Sequence, residues 1–158
     1  MKAHRQLPLP VPAPPVARVV VFANAAAELW PEPKGVAGLY WRPGPRHLTD
    51  FQAAMEALLR LIRQQGTGKA FIDQRDMAPL TEQEQAWIVG HWLPRAVVQG
   101  HFHYAAAVQP REPAGRLIIA ALQQQVPPEG PQYVTFDDEV EARQWLTRQV
   151  VIESRIAG

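Results

Sequence analysis

The chain contains no cysteine. Disulfides and thiolate metal sites are therefore excluded, and nothing in cysteine usage supports secretion. It has no uninterrupted apolar run of about 18 residues, so no membrane span is expected. It also lacks a surplus of either charge. Lys and Arg number 16 against 15 Asp and Glu, a net charge of +1, too weak a field to predict a nucleic-acid partner. No Ser–His–acid order or nucleophile elbow occurs. Gly66-Thr67-Gly68-Lys69 looks like the end of a phosphate loop, but it lacks the earlier glycine and a Ser or Thr after Lys69. It also precedes an apolar run where a phosphate loop would follow one. No cofactor is expected, and no repeat at solenoid spacing is visible.

Proline, by contrast, is plentiful, with 16 among 158 residues. Pro8, Pro10, Pro12, Pro14 and Pro15 make residues 1–17 a proline-rich arm of polyproline II character. Pro12 to Pro15 fits a Pro-x-x-Pro ligand, as any proline-rich tail would. Lys2, His4 and Arg5 followed by apolar residues faintly resemble a signal peptide. The prolines and Arg18 break the apolar region that such a signal needs, so a cytoplasmic location is expected. The size prior gives a single domain over 18–147, followed by a tail over 148–158.

The pattern within that domain alternates. Arg18 to Phe22 is β-branched and apolar, and Val36 to Trp41 alternates in the manner of a strand. The turn chemistry of residues 31–35 suggests that these two strands form an antiparallel hairpin. A helix is expected from about Asp50 to Gln65, capped by Thr49 with Gln52 and stopped by Gly66. Further strands are expected at Lys69–Ile72, Phe102–Val108 and Tyr133–Phe136. A helix is expected at Ala114–Gln125 with Leu117, Ile118, Ala121 and Leu122 inward, and a last helix behind Asp137-Asp138. The order ββαβαβαβα predicts an α/β fold with a mixed, largely parallel sheet of about five strands, an N-terminal hairpin and about four helices.

Residues 66–100 are the centre of this pattern. Lys69 to Ile72 reads as a buried strand ending at Asp73. In open α/β sheets ligands bind beyond the carboxyl ends of strands, which places Asp73, Gln74, Arg75 and Asp76 at a candidate site. An Asp–Arg pair that merely holds the loop is the plainer alternative. Thr81 to Glu84 forms a capping box opening a second helix. Pro94 should kink that helix, with Gly90 easing the crowding against its carbonyl. His91 with Asp73 can be written as a general base and its orienting acid, the basis of an alternative reading as a small hydrolase or isomerase. Trp87 can line a pocket, or an exposed Trp/Val surface of this helix can serve a homodimer. His101 and His103, alternating in a strand, lack a third metal ligand, so no metal is expected.

The hairpin into residues 41–46, the strand leading to Asp73-Gln74-Arg75, the stretch 92–96 with Gly100, and Phe136-Asp137-Asp138 leading into 142–146 together resemble the SpoIIAA-like proteins. These are the STAS/SEC14-type domains, and the likeness is to small stand-alone bacterial members. The resemblance spans roughly residues 19–147. It implies a non-enzymatic regulatory or ligand-sensing domain that binds a protein partner or a small hydrophobic ligand. In the anti-sigma-factor antagonists of this fold, a phosphorylated serine at the start of the helix after the central strand switches partner binding. Here Thr81 is the only hydroxyl near that place, and Glu82 and Glu84 already occupy the turn and would repel a phosphate.

Overall fold

The computed structural model describes residues 18–151. The arm over 1–17, with its Pro-x-x-Pro, and residues 152–158 of the tail lie outside the described residues. The elements are β1 (Phe22–Ala23), β2 (Ala27–Glu32), a 3-10 turn (Pro33–Gly35), β3 (Val36–Trp41), α1 (Leu48–Gln65) and β4 (Lys69–Asp73). Then come α2 (Glu82–Trp87), a π-helical turn (Ile88–Trp92), α3 (Leu93–Gly100), β5 (Tyr104–Val108), α4 (Pro113–Gln124), β6 (Gln132–Phe136) and α5 (Glu139–Arg148). The fold is α/β with a mixed sheet, as expected, but the sheet has six strands rather than five.

The extra strand comes from the hairpin, whose first arm is β2 and not Arg18–Phe22. Asn24 makes the turn between β1 and β2: its side-chain oxygen accepts from the amides of Ala26 (2.8 Å) and Ala27 (3.0 Å). Pro31 sits inside β2, where a proline argues against a strand. It is tolerated because its nitrogen faces the side away from β3, and β1 pairs only with Glu28 and Leu29. Trp30 lies directly across from Gly38, and its indole covers the glycine. A Cβ on Gly38 would stand 2.4 Å from the ring.

The strands run in chain order across the sheet, β1 to β6, with β3 to β6 parallel. Right-handed crossovers that all step the same way put their helices on one face. Accordingly α1, the α2–α3 arm and α4 cover one face, where the larger core cluster includes Phe51, Leu58, Ile62, Ile72 and Trp92. The other face carries α5 alone, over a smaller cluster of Trp30, Phe71, Val108, Ala142 and Leu146. The central strand β4 is buried along its whole length and paired on both sides. Gly68 positions it: φ is +69°, and a Cβ there would lie 2.1 Å from the His101 carbonyl oxygen.

Several boundaries move. α1 begins at Leu48, so Thr49 falls within the first turn, and His47 stands at the cap without a side-chain bond. The expected Thr49–Gln52 box is therefore absent. Gly66 ends the helix in a left-handed conformation, donating to the Ile62 carbonyl oxygen at 3.1 Å. β5 starts at Tyr104, because His101 turns left-handed (φ 49°) to end α3. His101 and His103 thus do not alternate within a strand. The α4 face differs in part: Ile118 and Leu122 pack half-buried against the core as expected, but Leu117 and Ala121 are exposed, and Gly115 and Ile119 are buried instead. Finally, α5 stops at Arg148 and Gln149 is extended, so the tail does not continue the helix.

Candidate functional site

The residues beyond β4 separate by strand alternation. Lys69, Phe71 and Asp73 face α5, while Ala70, Ile72 and Gln74 face the helical layer. Asp73 and Arg75 close on each other. Asp73 Oδ1 accepts from the Arg75 amide (3.1 Å) and Nε (3.0 Å), and Oδ2 accepts from Nη2 (2.8 Å). The same Nη2 reaches Glu139 Oε2 at the start of α5, at 2.8 Å. Burial pushes the Asp73 pKa up, but the Arg75 hydrogen bonds and charge outweigh it and hold the carboxyl below its ordinary range. Arg75 is held charged by the same bonds. Asp76 accepts from the Tyr40 hydroxyl (2.8 Å) and pairs with Arg111. Burial first, and then that bond and the Asp76 charge, push the Tyr40 hydroxyl up. These carboxylates are satisfied within the fold, so the geometry here is that of a loop clasp tying β4 to α5. Nor does the strand order reverse anywhere, so the sheet has no switch-point crevice at this rim.

The Asp73–His91 pair does not form. Asp73 is buried on the α5 face. His91 is exposed in the opposite layer, its ring 5.4 Å from that of Trp87. The sheet lies between them, which removes the base-and-acid arrangement the sequence suggested. Among the described residues, no group of three or more His, Asp or Glu could hold a metal.

Gln74 is the member of the predicted set that faces a void. A cavity of about 80 Å³ lies between the sheet, α1, the π turn and α4. Its wall is almost wholly apolar, with Leu39 and Ile72 from the sheet, Met55 and Leu58 from α1, Val89 from the π turn and Ile119 from α4. Gln74, Gln123 and Tyr133 are the polar residues among those that line it. Gln74 Nε2 donates to the Tyr133 hydroxyl oxygen at 2.6 Å, while Gln74 Oε1 is buried without a partner. An unmatched buried amide oxygen costs roughly 1–3 kcal/mol. Burial pushes the Tyr133 hydroxyl well above the ordinary phenol range, against the smaller opposing effect of Gln74. Trp87 does not line the void. It packs edge-on against Phe51, with ring centroids 6.1 Å apart, and Phe51 does line it.

The helical wall is held by features the sequence announced in part. Thr81 is exposed and caps α2: its hydroxyl accepts from the Glu84 amide at 3.1 Å, and Glu84 Oε1 accepts from the Thr81 amide at 2.9 Å. Glu84 also receives Arg46 in a buried two-pronged pair at 2.6 and 2.7 Å, which fastens α2 to the segment before α1. Arg46 belongs to no expected strand or helix, and a guanidinium paired across 38 residues leaves no local signal. Ahead of Pro94 the helix widens, with the Leu93 amide bonding to the Ile88 carbonyl five residues back. A Cβ on Gly90 would meet nothing, so the wider turn, and not the missing side chain, relieves the proline. Trp92 Nε1 then donates to the Met55 carbonyl at 2.7 Å and pins the arm to α1.

Compared with known proteins, the chain matches no family model, no curated protein and no solved structure.

Proposed function

We propose that this protein is a ligand-sensing domain that takes a small, largely apolar molecule with one hydrogen-bond donor into the void beside Gln74. The observation that carries this reading is the unpartnered Gln74 Oε1 in an otherwise apolar cavity. A ligand N–H or O–H would satisfy that oxygen, and the rest of the wall would remove apolar surface from water. At about 80 Å³ the void is smaller than the roughly 150 Å³ that holds a benzene ring in a protein core. A ring-sized ligand therefore requires one wall to yield, and α4, with two buried residues in its twelve, is the wall least fastened. Its displacement would carry occupancy outward to the exposed Leu117 side, where a partner could read it. The SpoIIAA-like, STAS-type resemblance agrees with a regulatory role of this kind, and the order of elements supports it.

Phenol and toluene serve as probes, because they differ by the donor alone. Phenol is expected to bind about tenfold more tightly, the worth of one net hydrogen bond. Gln74→Leu is expected to abolish that preference. If neither probe binds, or if the substitution leaves the preference intact, the reading fails.

A further inference from the structure

The second buried side-chain atom without a partner, among the described residues, is Trp30 Nε1, on the opposite face of the sheet. Trp30 itself lines a cleft of about 590 Å³ between β2, the turn after it, the start of β4 and α5. This cleft exists because three crossovers send their helices to the other face, leaving α5 to cover this one alone. Its floor includes Lys69, a lysine only 6% exposed on the central strand. Buried ammonium groups normally face a carboxylate. Lys69 Nζ donates instead to the Leu146 carbonyl oxygen, at 2.6 Å, near the end of α5. Two of its three donor positions are left over.

The charge around it is lopsided. Four cations line the cleft, Arg18, Lys34, Lys69 and Arg143, against two carboxylates, Glu32 and Glu139. Both carboxylates are engaged by Arg143, at 2.8 and 3.5 Å, and Glu139 also by Arg75. The Arg18 guanidinium carbon sits over the Trp30 ring, 4.0 Å from its centroid. Among its charged side chains and the indole, the groups left over are donors: the Lys34 and Lys69 ammoniums and the Trp30 indole N–H. Burial, and then the Lys34 charge, depress the Lys69 pKa, as expected for an ammonium awaiting a counter-charge. Between these donors the walls are apolar, from Trp30, Pro31, Val36 and Leu146.

We propose that this cleft binds a small organic anion, its carboxylate or phosphate head between Lys69 and Lys34 and its apolar body against Trp30 and Pro31. The site is separate from the void beside Gln74 and needs nothing from it. Phenyl phosphate, titrated calorimetrically into the full chain, is the probe, with inorganic phosphate and neutral benzyl alcohol as controls. Phenyl phosphate is expected to bind, and to weaken as salt is raised. Inorganic phosphate, lacking the apolar body, is expected to bind at least about tenfold more weakly, and benzyl alcohol more weakly still. In a nitrogen-15 spectrum the Trp30 indole resonance should shift on binding. Lys69→Met should abolish binding and Lys34→Asn, at the exposed rim, should weaken it severalfold, while Gln74→Leu should leave it unchanged. Should Lys69→Met fail to fold, the Lys34→Asn titration and the Trp30 resonance decide. Absence of phenyl phosphate binding, or binding that ignores Lys34→Asn and leaves the Trp30 indole unmoved, overturns the proposal.

Discussion

At the scale of single residues, the contrast between Asp73 and Gln74 shows how one step along the chain separates a satisfied side chain from one with an unmet hydrogen bond. Asp73 turns to the α5 face and is consumed by Arg75, whereas its neighbour turns to the void with an acceptor to spare. The Asp73 carboxylate has a folded pKa below its ordinary 3.8. Its stabilisation is therefore complete above that ordinary value and disappears as pH falls through the lower, folded one. Asp73→Asn should cost roughly 1–3 kcal/mol at pH 7, because the Arg75 guanidinium loses the buried charge it is bonded to and keeps only Glu139. The gap between variant and parent should narrow as urea unfolding is repeated at successively lower pH, as Asp73 itself takes up its proton. A gap that stays constant over that range would mean that the carboxylate charge contributes nothing. The sequence placed all four residues from 73 to 76 at one rim. It did not reveal which were already partnered, because Glu139 and Tyr40 come from distant elements.

At the scale of elements, the π turn from Ile88 to Trp92 is where local rule and tertiary demand meet. Pro94 was legible as a disturbance, and the helix continues through it, as expected of a kink. The widened turn was not legible, since it depends on Trp92 having to reach Met55 while Leu93 stays buried. Gly90, exposed and with open space around its Cβ position, has no steric duty. Gly90→Ala should therefore stabilise the protein by about 0.5–1 kcal/mol by restricting the unfolded chain. That corresponds to a rise in Tm of about 1–4 °C. A fall in Tm would show that the turn needs the glycine backbone. The first strand of the hairpin was misplaced for a related reason. Ala25, Ala26 and Ala27 carry weak strand preference and Pro31 argues against one, yet an unoccupied sheet edge admits the proline. On α4 the expectation holds for Ile118 and Leu122 and fails for Leu117 and Ala121, because alanine and leucine at helical spacing do not say how much of the helix the sheet can reach.

At the scale of the whole molecule, the alternation of strands and helices was enough to predict the α/β class and the mixed sheet. It did not show that the crossovers all step one way, which sets the unequal cover of the two faces. That inequality predicts a gradient of protection. Amide hydrogen exchange should be slowest in β4 and β5, buried and paired on both sides, and faster in α4 than in α1, which buries eight residues against two. Uniform exchange across the helices would contradict a loosely held α4 and weaken the case for it as the yielding wall. No helix among the described residues is long and apolar enough to cross a membrane.

Because every strand lies beside its neighbour in the chain, the sheet can grow in the order of synthesis. Each new segment meets an edge already formed by the one before it. The last described helix, α5, closes the opposite side, so a nascent chain halted before residue 139 would present Trp30 and Phe71 to the ribosome's surroundings. The lysine-floored cleft would thus be assembled only once α5 has been made, after the void beside Gln74 already has its walls.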